Sequence, residues 1–267
     1  MDFDNIFSQT WKEYRTNFSA ILKFILIFII IPSFVFLLIN TSLILSNDNL
    51  RELILNNTKA SSRPLFSDIP YYLLLGITSL ISLALTVFVY AGLTSVSLKK
   101  NGYKFVDIVY SSKKNFWRYL TYSIVIIIFL TLLFILLIIP MIIFLIYWIF
   151  AAYILFDQDK GILESLKTSK KLVRGKWWKV FGYSLLFFLI IVAISIGIYL
   201  VSSILLMSYY IGNGFSSFLS GGPITSTFFV LRQITSFISQ TISSIIVIPL
   251  TIIFFKNFYL KLKKSKK

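Results

Sequence analysis

The chain has 267 residues, of which 57% are hydrophobic and 13% charged, with 26 Lys and Arg against ten Asp and Glu. Soluble domains run near 45–50% apolar and about 25% charged, so apolar runs that recur from Ile21 almost to the last dozen residues exclude a soluble domain of useful size. Cysteine and histidine are both absent, which removes disulfides, thiolate nucleophiles, imidazole bases and the usual transition-metal ligands.

In chain order, the first element is an amphipathic stretch in which Phe7, Trp11, Tyr14 and Phe18 follow one another at steps of four, three and four, a single helical face. The apolar run behind it far exceeds the h-region of a signal peptide and has no small-residue cleavage site, so this end is expected to be retained. A bilayer core about 30 Å thick needs roughly 20 apolar residues in helical form. Six segments qualify, at 21–45, 71–96, 119–139, 141–156, 180–206 and 228–255, which make the chain an all-α polytopic membrane protein with one transmembrane domain, 1–267. The third and fourth form one apolar run around Pro140, read either as a hairpin or as one kinked helix. Charge favours the hairpin: with six spans and both termini inside, 22 of the 26 basic residues fall on the cytoplasmic side and only Arg51, Lys59, Arg63 and Arg232 remain outside. A kinked single helix would put the basic segment 160–179 outside. The sequons at Asn40 and Asn56 are weak signals, since such triplets arise often by chance.

A threefold pattern supports the same reading. Before each odd-numbered span comes a short amphipathic stretch ending in aromatic residues. The second holds Val106, Val109, Tyr110, Phe116 and Trp117. The third sets Ile162, Leu166 and Val173 on one face with Lys167, Lys170, Lys171 and Arg174 elsewhere, and closes with Lys176, Trp177 and Trp178. Three helical hairpins, each preceded by a short interfacial helix at the cytoplasmic surface, are expected. Trp11, Trp117, Trp177 and Trp178 all lie at these inner junctions, where an indole buries its ring and keeps its N–H wet. Basic residues in such a place attract anionic lipid by about 1 kcal/mol each, although ordinary topology signals with snorkelling side chains carry the same pattern. In the last span Arg232, Ser236, Ser239, Gln240 and Ser243 share a face that is expected to point inward, as interhelical hydrogen-bonding glue or as the lining of a polar crevice. No ionisable group lies deep in a predicted span. Asp157 and Asp159, near the inner surface, could join a metal or phosphate site, but an acidic helix start ahead of Gly161 is the simpler reading.

The stretch Phe156-Asp157, Gly161-Ile162-Leu163-Glu164-Ser165-Leu166-Lys167 and Leu172-Val173-Arg174-Gly175-Lys176-Trp177-Trp178 resembles the membrane domain fused to some glycerophosphodiester phosphodiesterases and its stand-alone relatives, including YciC-type membrane proteins. Trp11 with Asn17-Phe18, Ile139-Pro140, and Pro249 with Phe258-Tyr259-Leu260 are similar to that family's N-terminal helix, central proline turn and final span. Family members often carry Gly after the central proline, where Met141 stands here. The resemblance implies the six-span fold and no hydrolase activity, because no phosphodiesterase domain is present.

The functional expectation is a non-enzymatic, multi-pass protein of the cytoplasmic membrane working in envelope or lipid homeostasis, with anionic membrane lipid or a protein partner at its basic cytoplasmic face. Homo-oligomers are equally open. Two alternatives are a transporter or lipid-translocating protein along the polar face of the last span, and an immunity or tolerance protein against a membrane-active peptide. No cofactor, metal or nucleic acid is expected, since the basic residues sit between spans rather than on a water-facing domain.

Overall fold

The computed structural model describes residues 2–46, 69–99, 102–213 and 226–265, and every regular element among them is helical. Six helices are long and apolar enough to cross a membrane. Helix α1 (Phe3–Ile25) passes through a widened π turn (Leu26–Ile30) into α2 (Ile31–Ser46), followed by α3 (Ile69–Lys99) and α4 (Phe105–Leu136). Then come α5 (Ile138–Trp148), α6 (Ala151–Asp157), α7 (Ile162–Val173), α8 (Trp177–Asn213) and α9 (Ser226–Lys264). The π turn precedes Pro32, whose ring crowds the preceding turn and whose nitrogen cannot donate, and one extra residue in that turn absorbs the strain.

Two of the three amphipathic stretches are not separate helices. Phe3–Ile25 and Phe105–Leu136 run unbroken from their amphipathic start into apolar sequence, because neither contains a glycine or proline to stop them. The third stretch does stand alone: Gly175, at a φ of 84° that only glycine adopts without strain, separates α7 from α8. The buried faces of these helices are as follows. In α1 the buried residues are Ile6, Thr10, Tyr14, Asn17, Ile21, Phe24 and Ile25, a face that shares only Tyr14 with the aromatic row and leaves Trp11 and Phe18 exposed. Likewise Ile108, Ser112 and Asn115 are buried in α4 while Val106, Tyr110 and Trp117 are exposed.

The chain turns at Leu137, not at Pro140. Leu137 is extended (φ −170°, ψ 142°) between α4 and α5, and Pro140 sits in the first turn of α5, where its missing N–H would have had no partner anyway. The helices α4 and α5 pack together, with Phe129 and Trp148 ring centroids 5.8 Å apart.

Two compact units can be described. The first comprises residues 1–25, 86–192 and 245–267. Its core is aromatic: Phe150, Tyr153, Phe254, Phe258 and Tyr259 are buried, and Phe187 stacks on Phe254 at 4.0 Å. Where α3 meets α4, a Cβ on Gly92 would lie 1.9 Å from Ser112 Oγ, so only glycine permits that approach. The second unit comprises residues 26–85 and 193–244. In it Ile44 packs with Phe229, Leu45, Tyr71 and Val230, the Tyr71 hydroxyl donates to Asn40 Oδ1 at 3.2 Å, and Phe34 meets Phe237 at 5.5 Å. Asn56 lies outside the described residues.

Pro249 interrupts α9 and leaves the carbonyl of Ile245 without its usual donor four residues on. The Tyr14 hydroxyl of α1 donates to that carbonyl at 3.3 Å, a bond that bilayer surroundings make valuable because no water is there to replace it. Tyr14→Phe should therefore lower the stability of the detergent-solubilised protein by about 1–3 kcal/mol, read as a fall in thermal midpoint. In a Pro249→Ala background, where the backbone N–H at position 249 is restored, the same change should cost much less; an equal loss in both backgrounds would contradict this assignment.

Candidate functional site

Polar chemistry in the first unit gathers at three places: a buried pair between α1 and α9, a clamp on the turn between α6 and α7, and the cationic face of α7 with the corner that follows it.

The buried pair is Glu13 with Lys256. Lys256 Nζ donates to Glu13 Oε2, and the two side chains keep 3% and 10% of their surface exposed. Around them Asn257 Nδ2 donates to Thr10 Oγ1 at 3.3 Å and reaches Glu13 Oε2 at 3.4 Å, while Thr10 Oγ1 donates to the Ile6 carbonyl at 2.8 Å. Asn17 Nδ2 donates to the Glu13 carbonyl at 2.9 Å, and its Oδ1 accepts the Tyr103 backbone N–H at 3.0 Å. The Tyr103 hydroxyl is pushed above its ordinary range by burial first and by the negative charge of Glu13 second. Both residues lie outside the predicted spans 21–45 and 228–255, so the pair leaves the expectation about span interiors untouched; what the sequence reading missed is that these two groups meet. Its signal was present in Phe254-Phe255-Lys256-Asn257-Phe258-Tyr259, where a lysine among five mostly aromatic neighbours must find a partner.

The clamp accounts for both candidate carboxylates of the sequence. Asp157 Oδ2 accepts from the Tyr259 hydroxyl at 2.6 Å and from Lys263 Nζ. Asp159, the residue with a left-handed backbone (φ 51°), pairs with Arg118 of α4, which also donates to the Lys160 carbonyl at 2.7 Å. The hydrogen bond from Arg118 and then its charge hold the Asp159 carboxyl below the usual carboxylate range. Each carboxylate already has a cation, and the described residues contain no group of three metal-ligating side chains. The clamp is a tether for the turn, not an open site.

Helix α7 buries Ser165, Leu166, Ser169 and Val173 and leaves Lys167, Lys170, Lys171 and Arg174 exposed. Its seat is α5: Ser169 Oγ donates to the Tyr147 carbonyl at 2.6 Å, and the Lys170 ammonium lies 5.1 Å from the Phe144 ring centre and 5.6 Å from that of Tyr147. Beyond Gly175, Lys176 Nζ donates to Ser265 Oγ at 2.7 Å. Trp177 stacks on Phe181 at 5.2 Å, Trp178 sits edge-on to Trp177 at 4.8 Å, and Trp178 and Trp117 remain 78% and 74% exposed. The first unit holds 22 basic residues and seven acidic ones. Four of those seven are taken by Lys256, Lys263, Arg118 and Lys160, so carboxylates cannot neutralise the excess.

The polar face expected in the last span is not turned inward as a set. Arg232, Ser236 and Gln240 are exposed, Ser239 and Ser243 half-buried, and the buried polar residue of that stretch is Thr235. The packing of Phe237 on Phe34 and of Phe229 on Ile44 turns an apolar side of α9 to α2 and splits the polar row, with Arg232, Ser236 and Gln240 exposed and the Ser239 hydroxyl buried.

Lys256→Met strands the Glu13 charge and should cost about 3–5 kcal/mol. Adding Glu13→Gln should recover most of that loss in thermal unfolding, and a double variant as unstable as the single one would contradict the pairing. The Asp159 contact predicts an acid limb. A depressed folded-state pKa stabilises above the unfolded value of 3.8 and is lost as pH falls through the folded one, so Asp159→Asn should lower the melting temperature at pH 6, and its deficit should shrink steadily as pH falls below 3.8.

A family model described as Domain of unknown function (DUF7847) matches residues 108–262, more than half of the chain, which therefore belongs to that family. The match takes in α7, the Trp177 corner and Lys256, but not Glu13 or Tyr14. No curated protein and no solved structure matches the chain.

Proposed function

We propose that this family member is a non-enzymatic, six-span protein of the cytoplasmic membrane that holds anionic lipid headgroups on its basic cytoplasmic face, in service of envelope or lipid homeostasis. The reading takes the six apolar helices as spans arranged in hairpins, both termini in the cytoplasm and α7 at the inner membrane surface. Its main support is the exposed cationic row of α7 with the exposed Trp178 at the corner that follows it, in a unit whose carboxylates are far too few to balance it.

Three physical points favour lipid over other partners. Cations next to exposed tryptophan suit the headgroup zone, where rings sit in the interface and ammonium groups meet phosphate. The tether of the α6–α7 turn by Arg118 and Lys263 holds α7 as a rigid ledge, so little ordering entropy is lost when a headgroup docks. Nucleic acid is disfavoured because the basic residues alternate with apolar helices rather than forming a water-facing domain. The non-enzymatic reading is supported by a sequence without histidine or cysteine and by the pairing of Glu13, Asp157, Asp159 and Glu164 with cations.

Replacing Lys167, Lys170, Lys171, Arg174 and Lys176 by Gln should reduce co-purified anionic phospholipid at least tenfold, given about 1 kcal/mol per basic residue near the surface. Lipid-resolved mass spectrometry of the purified protein reads this directly. Unchanged anionic lipid in a variant that elutes and melts normally would overturn the proposal.

A further inference from the structure

We propose that the corner between α7 and α8, closed by the end of α9, is a headgroup site for an anionic lipid carrying two phosphates. This rests on the lipid-holding function above and narrows it to one class of headgroup.

The corner is built from both sides. After Val173 the chain bends sharply at Gly175, with the Arg174 N–H on the Lys170 carbonyl and the Lys176 N–H on the Val173 carbonyl, both at 2.9 Å. Arg174 and Lys176 therefore flank a tight, internally bonded bend, and Lys179 follows within the first turn of α8. The bond from Lys176 Nζ to Ser265 Oγ brings the last turn of α9, with Lys261 and Lys264, to the same place. That contact is with a neutral hydroxyl and cancels no charge. The acids of the adjoining turn are used elsewhere, Asp157 by Lys263 and Tyr259, and Glu164 by Lys160.

Cations from two elements are thus brought to one corner, where Asp157 on Lys263 offsets one of them, and an anion lying among the others would relieve their mutual repulsion. One phosphodiester carries a single negative charge and would leave most of the group uncompensated. Two phosphates on a short linker can serve the Arg174–Lys176 bend and the Lys261–Lys264 turn at once, which gives the second contact the advantage of an intramolecular one. The indoles complete the fit. Trp177 is fixed by its stack on Phe181 and by its Nε1–H on the Ile143 carbonyl at 3.5 Å, and it props up Trp178, whose open ring offers an apolar surface to the glycerol and upper acyl region.

The test uses full-length protein in phosphatidylcholine vesicles containing either phosphatidylglycerol or cardiolipin, mixed so that total negative charge is equal. Lipid retained after mild extraction is counted by mass spectrometry. Cardiolipin should be retained over phosphatidylglycerol by roughly fivefold or more, the size of one extra phosphate contact. Arg174→Gln with Lys176→Gln and Lys264→Gln should bring the ratio to about one. Lys176→Arg with Lys264→Arg should keep it, as should Lys12→Gln with Lys113→Gln and Lys114→Gln, which removes the same three charges from α1 and α4. Equal retention of the two anionic lipids, both above phosphatidylcholine, would overturn the two-phosphate assignment and leave the broader reading standing. Retention of neither would overturn both, and a ratio that survives the triple Gln variant would move the site elsewhere.

Discussion

Lipid hydrates neither a peptide group nor a charge, and the organisation of the chain follows from that constraint. Backbone groups are satisfied within helices. Where a helix fails, at Pro249, a tyrosine hydroxyl from another helix supplies the missing donor. Where a cation enters the packed interior, at Lys256, a carboxylate meets it. Both repairs come from adjacent residues of α1, Glu13 and Tyr14, so the first helix acts as a brace along the last one. The bond to Ile245 and the pair with Lys256 fall eleven residues apart on α9, three turns of helix. Without α1, α9 would carry an open carbonyl and an uncompensated lysine in the same unit.

The same constraint sorts the remaining cations. Those with carboxylate partners tether turns: Arg118 and Lys263 hold the segment from Asp157 to Lys160 and thereby fix where α7 begins. A second group of cations, most of them exposed, collects on α7, at the corner after it and at the end of α9. Structural and functional charge are separated by residue. In the proposed reading the tethered ones build a ledge, and the others face the headgroups of the inner leaflet.

Much of this was legible in the sequence, because helix length and hydropathy are local properties. The six apolar helices and a basic amphipathic stretch from Ile162 could be read that way, whereas the break at Gly175, which puts Trp177 and Trp178 at the start of α8 rather than at the end of that stretch, could not. Other features depended on information a single segment does not hold. Pro140 drew the eye as a turn, but proline is well tolerated in a first helical turn, so it marks the start of α5 while Leu137 makes the bend. The aromatic periodicity of Phe7, Trp11, Tyr14 and Phe18 identified a real helical face, but not which of its residues pack inside the protein: Tyr14 is buried while Trp11 and Phe18 are exposed. In a membrane protein the apolar face can look outward and the small polar one inward, which is how Thr10 and Asn17 come to be buried. The pairing of Glu13 with Lys256 joins positions 243 residues apart, and only the isolation of that lysine among aromatic residues hinted that a partner was required.

The account stands or falls on which side of the membrane the cationic ledge occupies. A chain without cysteine makes this directly measurable: Arg174→Cys places one thiol at the α7–α8 corner of the full-length protein. With a membrane-impermeant maleimide the account predicts no labelling in intact cells and full labelling once the membrane is opened. Labelling in intact cells would put the corner outside and contradict the orientation and the lipid site together.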